Sequence, residues 1–213
     1  MIGRAALLAT AALALVAARP PMRVQPNPSA VIAAEIALNR AAQDKGEWTA
    51  FRAAAAKDAI MFVPQQVSAM AWLKGRADPP VARVRSPHRV YVACGGRLAA
   101  SAGNWTRPDG SAGYFTTIWR RDDKGRWQWI MDHADALASP RAAPEFLVGK
   151  VATCKRTESP AHASPTFTDA PPSADESLVW TAQVTPDGGR HVMIRMWTGD
   201  AYETVIDDQV AAP

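Results

Sequence analysis

The spacing of apolar and polar positions divides the chain into a helical first part and a strand-rich remainder. Asn27 followed by Pro28 reads as a side-chain cap with proline in the first helical position, and helix formers continue from there to Gly46. Val31, Ala34, Leu38 and Ala41 share one face, with Ile32 and Ile36 beside them, so the spacing predicts an amphipathic helix. Residues 47–59 repeat the pattern with Trp48, Phe51 and Ala55, and Asp44, Lys45 and Gly46 leave room only for a tight turn between neighbouring helices. Residues 60–64 predict a brief strand ended by Pro64. Residues 68–75 predict a third helix, capped by Ser68 and closed by Gly75.

Further on the period changes to two. Residues 76–87, basic and proline-containing, read as irregular; 88–94 and 97–105 alternate as two strands across Gly95 and Gly96. At the centre, two runs rich in aromatic and β-branched residues flank Asp122, Asp123, Lys124 and Gly125, which predicts a β-hairpin over residues 113–135. Pairing Arg121 with Arg126 sets Arg120 opposite Trp127, Ile118 opposite Trp129, Thr116 opposite Met131 and Tyr114 opposite His133 on one face. Phe115, Thr117, Trp119, Gln128, Ile130 and Asp132 take the other. Both faces are largely apolar, so the hairpin belongs inside a sheet covered on both sides.

Residues 146–154 carry one further strand, and 158–175 have the proline, alanine, serine and threonine content of a linker. Residues 176–213 read as a β-meander with turns at 186–189 and 198–200. It is too small to bury a core alone, so its apolar side, including Trp180, Ile194 and Met196, docks on the first domain or on a second copy. Helices first and strands after predict an α+β fold, with N-terminal helices packed on a strongly curved antiparallel sheet followed by the small meander.

Composition narrows the setting. The chain has 213 residues, 48% of them hydrophobic, enough for one good-sized domain with an appendage. The formal charge is +4 and the pI about 9.3, but the basic residues are scattered among acids and form no nucleic-acid motif, so no nucleic-acid partner is expected. Arg4, the Ala/Leu run and the small residues Val16, Ala17 and Ala18 have the layout of a signal peptide over residues 1–18. The run is too short for a membrane span; an uncleaved anchor is the alternative. Residues 19–28 are an extended lead-in. Export places the protein in the periplasm or outside the cell with no integral membrane span after cleavage, and there Cys94 and Cys154 favour a disulfide over two buried thiols.

The opening helix pair over residues 34–64, the strand 96–105 and the central hairpin with its Trp-Gln-Trp segment resemble the nuclear transport factor 2-like (NTF2-like) superfamily, within it the SnoaL-like and DUF4440 group. The similarity covers about residues 30–135, inside a domain drawn at 29–157. It implies a cone-like bent sheet around a pocket, helices at the mouth, and frequent dimerisation through the outer sheet face, hence a homodimer. The superfamily includes isomerases, dehydratases, cyclases and non-catalytic binding modules, so the fold leaves function open.

Enzymes of this superfamily put an Asp or His in an apolar cone, where poor solvation makes a useful general base. Asp132 and His133, at the end of the hairpin, are the candidates. As strand neighbours they point to opposite faces; Tyr114 shares the face of His133, and Thr117 that of Asp132. Structural roles compete for each: a turn cap or arginine pair for Asp132, packing for His133, a backbone hydrogen bond for Tyr114. Trp72, Trp105, Thr116, Trp129 and Met131 are candidate ligand-pocket residues, with Trp119 and Trp127 as further aromatic lining, and core packing as the alternative. Arg120 opposite Trp127 reads as a surface cation–π pair. His88, His162 and His191 have no metal spacing, and no phosphate-loop, dinucleotide or serine-hydrolase motif is present, so no cofactor or metal is expected. Three functions remain. One is a non-catalytic module binding a small apolar molecule or a protein partner. Another is an isomerase- or dehydratase-type enzyme using Asp132 or His133 as base with Tyr114 orienting the substrate. The third is an assembly module using the meander.

Overall fold

The structure, a computed structural model, describes residues 25–154 and 175–212. The expected signal peptide, most of the expected linker and His162 lie outside those residues. Helix α1 (Pro28–Lys45) starts at Asn27, whose Oδ1 accepts the Ser29 N–H at 3.0 Å. Its buried stripe is Val31, Glu35, Leu38 and Ala42, while Ile36 is 51% exposed. The helix is therefore rotated by about one residue from the face expected on apolarity alone, because Glu35 has partners in the core.

Helix α2 (Glu47–Ala54) follows through Gly46, whose φ of 101° is open to glycine. Gly46 has no side chain to cap with, and Asp78 from a distant loop does so instead, accepting the Thr49 N–H at 2.9 Å and the Thr49 hydroxyl at 2.7 Å. The second helix is shorter than its sequence suggests. Residues 55–59 belong to β1 (Ala55–Phe62), where parallel pairing with the central hairpin overrides the helix propensity of Ala55 and Ala56, the last two of four consecutive alanines. Strand β2 (Gln66–Ser68) and the short α3 (Ala69–Leu73) complete this part, the latter capped by Ser68.

The main sheet has seven strands in the order β2-β1-β6-β5-β4-β3-β7, with β3 (Val84–Val92), β4 (Leu98–Thr106), β5 (Ala112–Arg121), β6 (Trp127–Leu137) and β7 (Val148–Val151). Two of its pairs, β1 with β6 and β3 with β7, are parallel, so the sheet is mixed where an antiparallel one was expected. Each partner is separated in sequence by other elements, which gives the chain length to return in the same direction. Strand β3 begins within the stretch expected to be irregular. Its end is tied to the end of β7 by the Cys94–Cys154 disulfide, with Cα atoms 5.1 Å apart.

The central hairpin forms, with a different register. Arg121 pairs with Trp127, Arg120 with Gln128 and Trp119 with Trp129; a bulge at Ile130 then sets Ile118 opposite Met131, Thr117 opposite Asp132 and Thr116 opposite His133. The bulge moves Trp129 to the face of Trp119, against the helices. Arg120 does not answer Trp127; it donates to both carboxylate oxygens of Asp58 on β1, at 2.9 and 2.6 Å.

Strands β8 (Leu178–Val184), β9 (Arg190–Trp197) and β10 (Tyr202–Val210) form a three-stranded antiparallel sheet. Both faces of the main sheet are covered. On one, Val31, Leu38, Phe51 and Leu73 of the helices pack on Trp119 and Trp129; on the other, Leu178, Trp180, Val192, Ile194 and Met196 of the meander pack on Ile118, Ile130 and Met131. The meander docks on its own chain. The architecture is α+β, helices on a large sheet, with a small second sheet against its other face.

Candidate functional site

Asp132 and His133 fall on opposite faces of β6, and each enters a separate buried polar cluster. On the helix side, Arg85 of β3 donates to Asp132 Oδ1 at 2.9 Å and to the Thr117 hydroxyl at 2.5 Å, and Thr117 in turn donates to Asp132 Oδ1 at 2.8 Å. Glu35 of α1 lies 3.6 Å from the same guanidinium. Its Oε1 accepts the Ser101 hydroxyl at 2.5 Å and the Trp119 indole N–H at 3.1 Å. All three charges are nearly dry: Glu35 is 1%, Asp132 5% and Arg85 6% exposed.

Burial alone would oppose the charge on Arg85, but the carboxylates of Asp132 and Glu35 outweigh it and hold the guanidinium more firmly protonated than usual. Its Cζ sits 3.7 Å from the Phe115 ring on the sheet and 5.2 Å from Phe51 on α2. The arginine therefore fills the space between helix and sheet. Two atoms of the cluster, Glu35 Oε2 and Arg85 Nε, have no protein partner.

On the other face, His133 is 0% exposed and lies between the two sheets. Its Nε2 is 3.3 Å from the Tyr114 hydroxyl, and Phe62 packs edge-on at 6.0 Å. Beside them, Thr116 donates to the buried Asp208 of β10 at 2.6 Å, and Arg141 donates to the other oxygen of Asp208 at 2.7 Å while its Cζ lies 3.6 Å over the Tyr114 ring. Arg190 of β9 reaches across to the carbonyls of Pro64 and Ala134 at 3.3 and 3.4 Å. Burial pushes the His133 imidazole down to about 4, with Asp208 working against the shift and Arg190 with it. Burial, reinforced by Asp208, pushes the Tyr114 hydroxyl up to about 12. Both groups are neutral at neutral pH.

The pairing of Tyr114 with His133 and of Asp132 with Thr117 thus survives the changed register, because a shift of two residues preserves the face. The candidate pocket residues do not converge. Thr116 and Met131 are buried under the meander, and Trp129 is buried under α2, donating to the Phe51 carbonyl at 2.8 Å. Trp105 donates to the Asp135 carbonyl at 3.2 Å, and Trp72 sits half-buried on α3. The bulge and the docked meander together separate positions that the simpler register places on one wall.

Sequence reasoning missed Glu35, Arg85, Arg141 and Asp208. The one available signal was Glu35, an acid at the 31, 35, 38, 42 spacing of a helix stripe that is otherwise apolar. Among the described residues no group of three or more His, Cys, Asp or Glu side chains is close enough to hold a metal, and no helix is long and apolar enough to cross a membrane.

No protein-family model matches the sequence, and no curated protein matches it. Solved structures similar to it include a ketosteroid isomerase-like protein from Parabacteroides distasonis, at 18% identity and TM-score 0.43, covering 56% of this chain and 94% of that one. An NTF2-like superfamily protein from Salmonella enterica is 13% identical, TM-score 0.38, covering 52% of this chain and 94% of that one. A CaMKII hub from S. rosetta is 17% identical, TM-score 0.40, covering 52% and 96%. Each of the three leaves close to half of this chain without a counterpart.

Proposed function

We propose that this chain is an exported NTF2-like module, of the SnoaL-like/DUF4440 group, that binds a small apolar molecule or a protein partner and turns over no substrate in its cone. The observation that carries this reading is the position of Arg85, packed between Phe115 and Phe51 and bonded to Asp132 at 2.9 Å. A general base has to reach the proton it removes. Asp132 faces its own guanidinium, and His133 is sealed between two sheets. A partner therefore meets the outside of the cone. The Cys94–Cys154 bond supports export, since such bonds persist in oxidising compartments. The outer sheet face, the dimerisation surface suggested by the resemblance, carries the chain's own β8–β10, so a homodimer would form through another surface.

The test is expression of the full chain in a bacterial host, followed by recovery from the periplasm, N-terminal sequencing and native mass spectrometry. The expected protein begins at Arg19 and carries no isomerase activity on a β,γ-unsaturated ketone. Turnover that Asp132→Asn or His133→Gln abolishes would replace this reading with the enzyme.

A further inference from the structure

Three large apolar side chains lie open to solvent within a short stretch at the rim of the main sheet: Phe146 is 75%, Leu147 40% and Val151 40% exposed. They belong to β7 and the residues just before it, and β7 is the last strand on that side. Its one neighbour, β3, runs parallel to it, with Val92 facing Val151, and the Ala152 N–H donates to the Val92 carbonyl at 2.9 Å. Backbone groups alternate along a strand, so Lys150 and Ala152 turn theirs toward β3 while Gly149 and Val151 turn theirs away. The next outward donor, the Thr153 N–H, is taken by the Trp197 carbonyl at 3.0 Å. Gly149 and Val151 are exposed, and among the described residues nothing accepts from or donates to their outward groups. Open backbone beside exposed apolar side chains is a template for another strand.

We propose that the strand which fits this edge is β7 of a second copy of the chain, running antiparallel about a twofold axis at Gly149. Only outward-facing residues exchange hydrogen bonds across such a pair, so few registers exist. Setting Gly149 opposite Val151 puts the two Lys150 ammonium groups directly across from each other, which is unfavourable. Setting Val151 opposite Val151 calls on the Thr153 N–H that Trp197 already holds. Setting Leu147 opposite Gly149 draws in Glu145, which lies in a bend. Setting Gly149 opposite Gly149 meets none of these obstacles and uses residues 147–151 alone.

In that register Leu147 of each copy faces Val151 of the other, so two pairs of exposed apolar side chains cover one another. Lys150 lies opposite Val148, with its stem along the apolar side chain and the two ammonium groups diagonal and free to part. Between Leu147 and Val151, Pro28 of α1 occupies the face of Gly149: a Cβ there would lie 2.9 Å from that of Pro28. The stripe of Leu147, Pro28 and Val151 is apolar throughout and matches itself under the twofold, which selects a second copy over a strand from another protein. A ribbon this short buries less than the roughly 1,200 Å² of a stable interface, so the dimer is weak and depends on concentration. The surface lies away from the face covered by β8–β10, and the pairing is independent of whether the cone turns over a substrate.

Sedimentation equilibrium of the full, disulfide-bonded chain, from low micromolar to about 1 mM, measures the association, and a monomer–dimer equilibrium is the expected result. Amide exchange over the same range needs no variant: Gly149 and Val151 should slow in proportion to the fraction dimerised, while Lys150, bonded to β3, is protected at every concentration. Leu147→Glu and Val151→Lys, each alone, lower the association about tenfold by setting a charge against an apolar neighbour. Mixed in equal amounts, the two variants restore it as a heterodimer, because positions 147 and 151 then face each other with opposite charges on one side of the axis and as Leu147 with Val151 on the other. Val81→Lys, at a site 48% exposed and ahead of β3, leaves the association unchanged. Thermal melts verify that each variant is folded. A chain that stays monomeric at the highest concentration overturns the proposal. So does a dimer in which Gly149 and Val151 exchange as in the monomer, a mixture no tighter than its components, or an equal loss in Val81→Lys.

Discussion

Arg85 and Asp132, 47 residues apart in the chain, form a buried ion pair at 2.9 Å in the space that the fold leaves between its helices and its main sheet. Removing one partner leaves the other charged and unsatisfied in a dry site. Asp132→Ala is expected to lower stability by about 3–5 kcal/mol, and Arg85→Ala by a similar amount because two carboxylates then face each other. Asp132→Asn, which keeps an acceptor for Arg85, costs less. Urea titrations of the three variants measure the difference.

Burial holds the imidazole of His133 neutral, with its pKa lowered to about 4. Between about pH 6.5 and 4 the unfolded chain binds a proton there that the folded chain does not, so this contribution is complete above 6.5 and is lost as pH falls toward 4. The loss is about 3 kcal/mol at its limit. A folded His133→Gln variant should lack this component. Urea midpoints of both proteins from pH 7.5 to 4 compare the two slopes.

The disulfide between Cys94 and Cys154 closes a loop with a sequence separation of 60. In the chain-entropy account that bridge contributes about 4 kcal/mol. The Cys94→Ser, Cys154→Ser variant should unfold at correspondingly lower denaturant, and adding reductant should bring the parent protein to the same midpoint.

Gly46 has a φ of 101°, and a Cβ there would run into the carboxylate of Asp78 that caps α2. Gly46→Ala is expected to cost about 1–3 kcal/mol, from backbone strain and displacement of the cap. Asp78→Ala removes the cap but keeps the glycine, and should cost about 1 kcal/mol. Thermal melts of the two variants and the double variant reveal whether the effects overlap.

Elements with a local cause were legible. Asn27 and Pro28 start α1, Ser68 caps α3, and the glycine at 125 closes the hairpin, because caps and turns depend on residues within a few positions of one another. The doubly apolar hairpin announced two covering layers for the same reason: each face of a strand is written in alternate residues. The candidate site was less legible. Asp132 and His133 were found by position, but Arg85, Asp208 and Arg141 look like ordinary surface charges until the chain brings them together.

From the sequence alone came the order of helices and strands, the α+β class and the opposed faces of Asp132 and His133, all consequences of short-range periodicity. Tertiary structure decided the rest. One bulged residue, Ile130, redirected Trp129, and parallel pairing drew Ala55 and Ala56 from helix into strand. Contacts across 47 to 92 residues chose the partners of Asp132 and Asp208. Such choices depend on which groups can share a dry interior without leaving one unpaired, and that balance is struck only when distant segments meet.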